Sequence, residues 1–462
     1  ASGEQISAGD FSELSKPGTY RILLNTGETS YPFEIGEQVL SPALDAAIKS
    51  FYFQRASMAI EEAYGGIYQR AAGHPDVALA YHPSSGKSEG TLDSPGGWYD
   101  AGDYDIRTQT QYKVVREMVS VWETFRPERD NTLVDYPRRY VDIHVPDGRP
   151  DLLQQIEHGV RALLAQYHAV GHAIPGIIVP TLEQYTHLGD GVTMTDNMIY
   201  DPEMGELESD GIRSGRFDDR WAFTSRSSAL NFGSIAALDA ASRVLSGYDD
   251  DLAQECLSWA EKAWNEEKSR DPSLFSHGKT TGGPLPVEES NAALELLITT
   301  GDAAYAQRFL HYLPEIEKAF QQYAVSAVRA MPHMDEAYRN RIRELAVAHR
   351  EQSRQLSSQN PYGVLITEGG WAGSGTVIGM AVANYHLNRA FPDLFNREDF
   401  MADLLRLATE ACHGSVRAGD RLTPEERSKL LEGFRQMKPP YTCPHGRPII
   451  TELTLMQMEK SF

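Results

Sequence analysis

The stretch SPGGWYDAGDYDIRTQTQ, residues 94–111, places Asp100, Asp103 and Asp105 within six positions, between a glycine pair and a run that turns helical. Like charges this close repel, the more so as water is excluded, so the cluster calls for a cation, a proton or a chemical task. The glycines at 96, 97 and 102 permit unusual backbone angles. A helix beginning near Ile106 would direct its free N–H groups and positive dipole end toward Asp103 and Asp105, a field that keeps carboxylates ionised. An ionised Asp can hold or deprotonate a water but donates protons poorly. Three readings stand side by side here. Asp103 or Asp105 caps the helix while Asp100 is solvated; the three side chains bind calcium, although the run lacks the ligand series of an EF-hand; or the carboxylates activate a water.

Composition narrows the tasks. A chain of 462 residues, 41% hydrophobic and 10% aromatic, can bury a large core, and no apolar run approaches the length of a membrane span. Its formal net charge of −22 repels nucleic acid and anionic membranes and suits a neutral substrate such as a sugar. Cys256, Cys412 and Cys443 are too few and odd in number for a disulfide framework. The opening ASGEQISAGDFSEL has neither a basic nor an apolar leader region, so no signal peptide is expected in this sequence, and the compartment stays open.

Outward from the aspartates, the pattern is helical. Before about residue 36, Pro-Gly and Thr-Gly turns separate short β-branched and aromatic runs, which predicts a hairpin. Apolar spacing then predicts helices over 42–63, 106–126, 151–170, 224–245, 249–267, 287–299, 303–323, 335–357, 373–391, 398–412 and 424–436. Pro42 and Pro150 mark helix starts, and Ser227, Asp249 and Thr423 are candidate caps. The order predicts a mainly α fold of helical hairpins packed side by side, close to a toroid of six hairpins. Long loops at 66–103 and 182–221 are rich in Tyr, Trp, His, Asp and Glu, the mixture of a cleft that stacks sugar rings and bonds hydroxyls.

The run GGWYDAGDYD closely resembles the signature of glycoside hydrolase family 9. SYPFEI with SPALDAAIKSFYFQRAS (30–35 and 41–57), RPDLLQQIEHGVRALLAQY (149–167), RFDDRWAFTSRSSALNFGSIAALDAASRVL (216–245) and NPYGVLITEGGWAGSGTVIGMAVANYHLNRAFPDLF (360–395) resemble other family segments. The resemblance implies an (α/α)6 toroid, preceded by the end of an immunoglobulin-like β module. It also implies an inverting hydrolase of β-linked glucan or a related oligosaccharide or polysaccharide, with Asp103 as the base and Asp100 helping to hold the water. Inversion needs, besides that base, a protonated carboxyl about 6.5 to 9.5 Å away. Hydrolysis of this kind requires no cofactor. Tyr104 departs from the His common at that position in the cellulases, which leaves the sugar open. Trp98, Tyr99, Tyr104, His187 and Trp371 are candidate substrate contacts. For Trp98 and Tyr99, packing beneath the loop is the equal alternative; for His187 the alternative is a satisfied structural role, and for Trp371 a place in the core, which spacing alone does not separate.

After about Asn396 the resemblance changes. ACHGSVRAGDRL (411–422) and CPHGRPIITEL (443–453) resemble the C-terminal region of the MutL mismatch-repair family, and the segment in which the hydrolase family carries its proton-donating Glu is not found. Glu368 is the remaining candidate acid, against the alternative of a simple solvent-facing loop residue. Cys412, Cys443 and His445 offer soft ligands for zinc, a half-site beside the alternative of ordinary buried thiols. The expected organisation is a β remnant over 1–36, a hydrolase-like body over 37–396, incomplete at its C-terminal end, and a MutL-like tail over 397–462. Two further functions follow from these parts: a carbohydrate-binding remnant without catalysis, and a mismatch-repair endonuclease or dimerisation module acting through the tail.

Overall fold

A computed structural model describes residues 11, 13–25, 27–69, 92, 94–100, 105–178, 196, 198–216, 221–275, 281–358, 373–397 and 399–401. The strands are β1 (Gly18–Tyr20), β2 (Phe33–Ile35), β3 (Ile106–Arg107), β4 (Leu133–Asp135), β5 (Tyr140–Asp142), β6 (Gly176–Ile178), β7 (Ile199–Tyr200), β8 (Arg213–Ser214) and β9 (Trp221–Phe223). The helices are α1 (Ser41–Ser50), α2 (Glu62–Gly65), α3 (Thr108–Phe125), α4 (Asp151–Val170), α5 (Ser228–Leu245), α6 (Asp250–Lys268), α7 (Leu285–Thr300), α8 (Ala303–Leu310), α9 (Leu313–Lys318), α10 (Phe320–Ala330), α11 (Glu336–Ser358) and α12 (Gly373–Ala390). Contacts divide the chain into two compact units, one of Ser41–Pro314 with Pro332–Met334, the other of Ala1–Leu40, Glu315–Met331 and Asp335–Phe462.

The first unit is organised around α5, which packs on α3, α4, α6 and α7. Its sequence SALNFGSIAALDAASRVL has no polar face, and all of it but Arg243 is buried. Small side chains make that position possible. A Cβ at Gly233 would lie 2.4 Å from the Tyr112 ring of α3, so the tyrosine rests directly on the helix backbone. From there the Tyr112 hydroxyl donates to Glu288 on α7 at 2.6 Å. Helix ends are fixed by side chains at some of the expected positions. Asp249 caps α6 by accepting from the Leu252 N–H, whereas Ser227 makes no capping bond because its hydroxyl donates to the Thr281 carbonyl at 2.9 Å.

A second bolt joins α5 to α6. The buried Glu267 carboxylate accepts from Arg226, from the Ser228 hydroxyl at 2.6 Å and from the Asn231 amide at 2.8 Å. Asn231 in turn accepts from the Ala173 N–H at 2.8 Å, just before β6. A charge taken out of water is tolerated here because its acceptor oxygens are met by donors.

In the other unit, β1 and β2 pair antiparallel with Gly18 opposite Ile35, the hairpin read from the sequence. Separately within that unit, α10 packs on α11 and α12, with the Tyr338 hydroxyl donating to the Ala327 carbonyl at 3.0 Å.

Several boundaries differ from the sequence expectation. The helix expected over 42–63 ends at Ser50 and passes into a 3-10 turn at Phe51–Gln54, because Arg55 leaves the helix to bridge Trp98. The helix expected from 106 begins at Thr108, since Ile106 and Arg107 are strand residues. The one expected over 303–323 is broken into α8, α9 and the start of α10. Of the last two expected helices, only residues 399–401 are described.

Candidate active site

The segment before the aspartates is pinned on two sides. Its glycines lie against α4, where a Cβ at Gly96 would stand 2.2 Å from the His158 carbonyl oxygen. Gly97, at φ +91°, donates its N–H to that same carbonyl at 3.0 Å. On the other side residues 97–99 run beside 54–56: the Ala56 N–H donates to the Gly97 carbonyl and the Tyr99 N–H to the Gln54 carbonyl, both at 2.9 Å. Gln111 of α3 closes a two-bond ring on Trp98, accepting from its N–H and donating to its carbonyl, each at 2.8 Å.

Trp98 and Tyr99 are core side chains, 3% and 5% exposed. The Trp98 ring meets Phe51 and His158 edge on, and its indole N–H donates to Gln155 at 3.3 Å. Tyr99 joins Ile106, Ile174, Ile177 and Ala222 in one apolar cluster. Of the two readings the sequence left open for each, the packing is that of a structural residue.

His158, which the sequence did not single out, has no solvent exposure. Its Nε2 lies 2.7 Å from the Gly97 carbonyl, which can only accept, so that nitrogen carries the proton and Nδ1 accepts from the Tyr136 hydroxyl at 3.1 Å. Burial, with the nearby Arg55 guanidinium, holds the ring well below its ordinary pKa, so it is neutral.

Asp100 and Asp105 have different surroundings. The Asp100 N–H donates to the Asp105 carbonyl at 2.7 Å, fixing both ends of the span that contains Asp103. Strand β3 follows at once and pairs antiparallel with β6, Arg107 opposite Gly176, while β6 pairs with β9. Alternation along the strand turns Ile106 into the apolar cluster and puts Asp105 and Arg107 on a common side. Arg107 there lies between two carboxylates, its Nε 3.3 Å from Asp100 Oδ2 and its Nη2 3.7 Å from Asp105 Oδ2. Asp105 is fully buried.

For Asp105 the geometry departs from the capping reading; Asp103, the other candidate cap, lies outside the described residues. Arg107, not an aspartate, holds the cap position of α3 and makes no side-chain capping bond, and Asp105 faces Arg107 instead. The Thr108 N–H donates to the Pro175 carbonyl at 3.3 Å, so it is directed across the sheet. Asp103, Tyr104, His187, Glu368, Trp371, Cys412, Cys443 and His445 lie outside the described residues. Among the described residues no group of three His, Cys, Asp or Glu side chains is placed to hold a metal.

The residues that sequence reasoning missed are His158, Gln111, Gln155 and Arg107. A signal was present for two of them. Gln155 and His158 are polar residues set among apolar ones in a helix that is buried over most of its length, and polar groups in such a place need partners.

The model of the family described as Glycosyl hydrolase family 9 matches residues 41–391. A xyloglucan-specific endo-beta-1,4-glucanase of Bacteroides ovatus is 29% identical over 335 residues, which is 67% of this chain and 51% of that one. The chain spans about half the length of the curated relatives it matches, 47% for endoglucanase D of Acetivibrio thermocellus. The crystal structure of a metagenome-derived glycoside hydrolase family 9 endoglucanase superposes with a TM-score of 0.64 at 20% identity, over 96% of this chain and 81% of that one. That likeness establishes the mainly helical (α/α)6 fold. The DNA mismatch repair protein MutL of Clostridium botulinum is 48% identical over 56 residues, 12% of this chain and 8% of that protein.

Proposed function

The chain belongs to glycosyl hydrolase family 9, and on that premise we propose that it is an inverting glycoside hydrolase acting on β-linked glucan or a related oligosaccharide. Asp103 is the base and Asp100 steadies the attacking water. The observation that carries the reading is the fixed frame around the signature: Asp100 and Asp105 are bonded across the span holding Asp103, and the Asp100 carboxylate faces Arg107. An inverting base must stay ionised and in place beside its water. The surplus of negative charge favours a neutral glycan over nucleic acid. Among the described residues no helix is long and apolar enough to cross a membrane.

Xyloglucan and cello-oligosaccharides are the first probes, because the Bacteroides ovatus relative is named for xyloglucan. Release of reducing ends, with the product's first-formed anomer followed by proton NMR, reads both activity and inversion. Asp103→Asn is expected to lower turnover by a factor of about a hundred to ten thousand while sugar binding by calorimetry persists. Glu368→Gln tests the proton donor in the same assay. Binding without turnover in the wild type supports a carbohydrate-binding protein instead, and neither binding nor turnover defeats the sugar reading.

A further inference from the structure

We propose that Arg107 is a positioning residue for this reaction, held by the buried Asp105 so that its guanidinium fixes the Asp100 carboxylate. The proposal rests on the hydrolase reading above for its chemical meaning, and on geometry of its own for the rest. Four restraints converge on Arg107. Its backbone is paired with Gly176 of β6, and the approach there is close: a Cβ at Gly176 would stand 2.4 Å from the Ile106 carbonyl oxygen and 3.3 Å from the Arg107 Cα. Its carbonyl accepts from the Thr110 hydroxyl at 2.8 Å. The next N–H is committed to Pro175, and the Thr108 hydroxyl to Gln166 at 3.2 Å. The strand's alternation then sends the side chain to the face shared with Asp105.

Burial assigns the third aspartate its part. Asp105 is wholly removed from solvent, where a carboxylate is retained only against a compensating group, and Arg107 places a cation beside it. Asp105 thereby orients the guanidinium from behind, while Nε is left to face Asp100 in front. A planar fork can serve two carboxylates at once from separate nitrogens, which a lysine ammonium on its flexible stem does less well. In this arrangement Asp100 takes its position from Arg107, and Arg107 from the buried Asp105.

The test pairs kinetics on cellohexaose with crystallography. Arg107→Met is expected to lower kcat by roughly tenfold to a hundredfold, the cost of displacing a reacting group by about an ångström, with KM within about twofold. Asp105→Asn is expected to act in the same sense. The double variant should be hardly worse than either single one, because both changes release the same guanidinium. Arg107→Lys, which keeps the charge, is expected to recover part of kcat, and it is the variant to use if Arg107→Met does not fold. Crystals of the variants should show the Asp100 side chain displaced from its wild-type place. An unchanged kcat, a rise confined to KM, or additive losses in the double variant would overturn the proposal. If the wild type does not turn over cellohexaose, the hydrolase reading fails on that result, and the position of Asp100 in the variant crystals decides the proposal on its own: displaced it stands, unmoved it falls.

Discussion

Mild acid is expected to loosen the frame behind the aspartates through His158. In the folded protein both ring nitrogens are engaged, Nε2–H with the Gly97 carbonyl at 2.7 Å and Nδ1 with the Tyr136 hydroxyl at 3.1 Å, and the ring has no contact with water. A second proton would put a donor where Nδ1 now accepts, in an apolar setting and near Arg55, and for these reasons the folded pKa lies well below the ordinary value. The unfolded imidazole titrates near pH 6.5. Below that pH the unfolded chain therefore binds a proton the folded chain refuses, and stability is lost as pH falls. The loss accumulates at about 1.4 kcal/mol per pH unit, or about 1.4 kcal/mol between pH 7.5 and 5.5. Other groups titrate in that window: His386, held at about 4 by burial, acts in the same sense, and Asp239, pushed up to about 7 by burial, acts in the opposite one. The quantity to read is thus the difference between wild type and His158→Gln in urea unfolding followed by tryptophan fluorescence. The variant is the less stable at neutral pH, and its deficit should narrow by about 1.4 kcal/mol on going to pH 5.5. A deficit that stays constant across the window would refute the neutral, buried histidine.

Gly97→Ala places a side chain at φ +91°, 3.0 Å from Gln111 Oε1 and 3.1 Å from the Ala162 Cβ. It is expected to cost about 1–2 kcal/mol of strain and to lower kcat for cellohexaose hydrolysis, with circular dichroism unchanged; full activity would show that the loop does not depend on this turn. Glu267→Ala leaves Arg226 without its buried counter-charge and is expected to destabilise by about 3–5 kcal/mol in the same urea assay, whereas a loss under about 1 kcal/mol would mean the network adds little.

The long helices were legible because a periodic apolar pattern needs no distant partner. The boundaries of α4 were read at the residues where the structure has them, and α6, α7 and α11 within two of theirs. The sheet of β3, β6 and β9 was not legible. Strands of two or three residues are too short to show alternation, and what makes them strands is pairing between segments some seventy and forty-five residues apart. The same shift converts the expected start of α3 into β3 and moves Arg107 from helix to strand. At the site, the crowding of carboxylates was visible in the sequence, but the sorting among them was not. The placing of Arg107 depends on Gly176, and the anchoring of Gly97 on His158, contacts that no local spacing records. Trp98 and Tyr99 remained ambiguous for a similar reason, since an aromatic side chain beside a reactive loop looks alike whether its face is open or packed.

The pairing of residues 54–56 with 97–99 sets a rule for cutting the chain. A fragment that starts after Ala56 removes the Gln54 carbonyl and the Ala56 N–H that hold the aspartate-bearing segment, along with Arg55, whose guanidinium donates to the Gln154 carbonyl of α4 at 2.9 Å. Any excised catalytic body must therefore begin before Gln54, and a boundary drawn by homology at the signature itself would leave residues 97–99 without the strand-like partner that holds them.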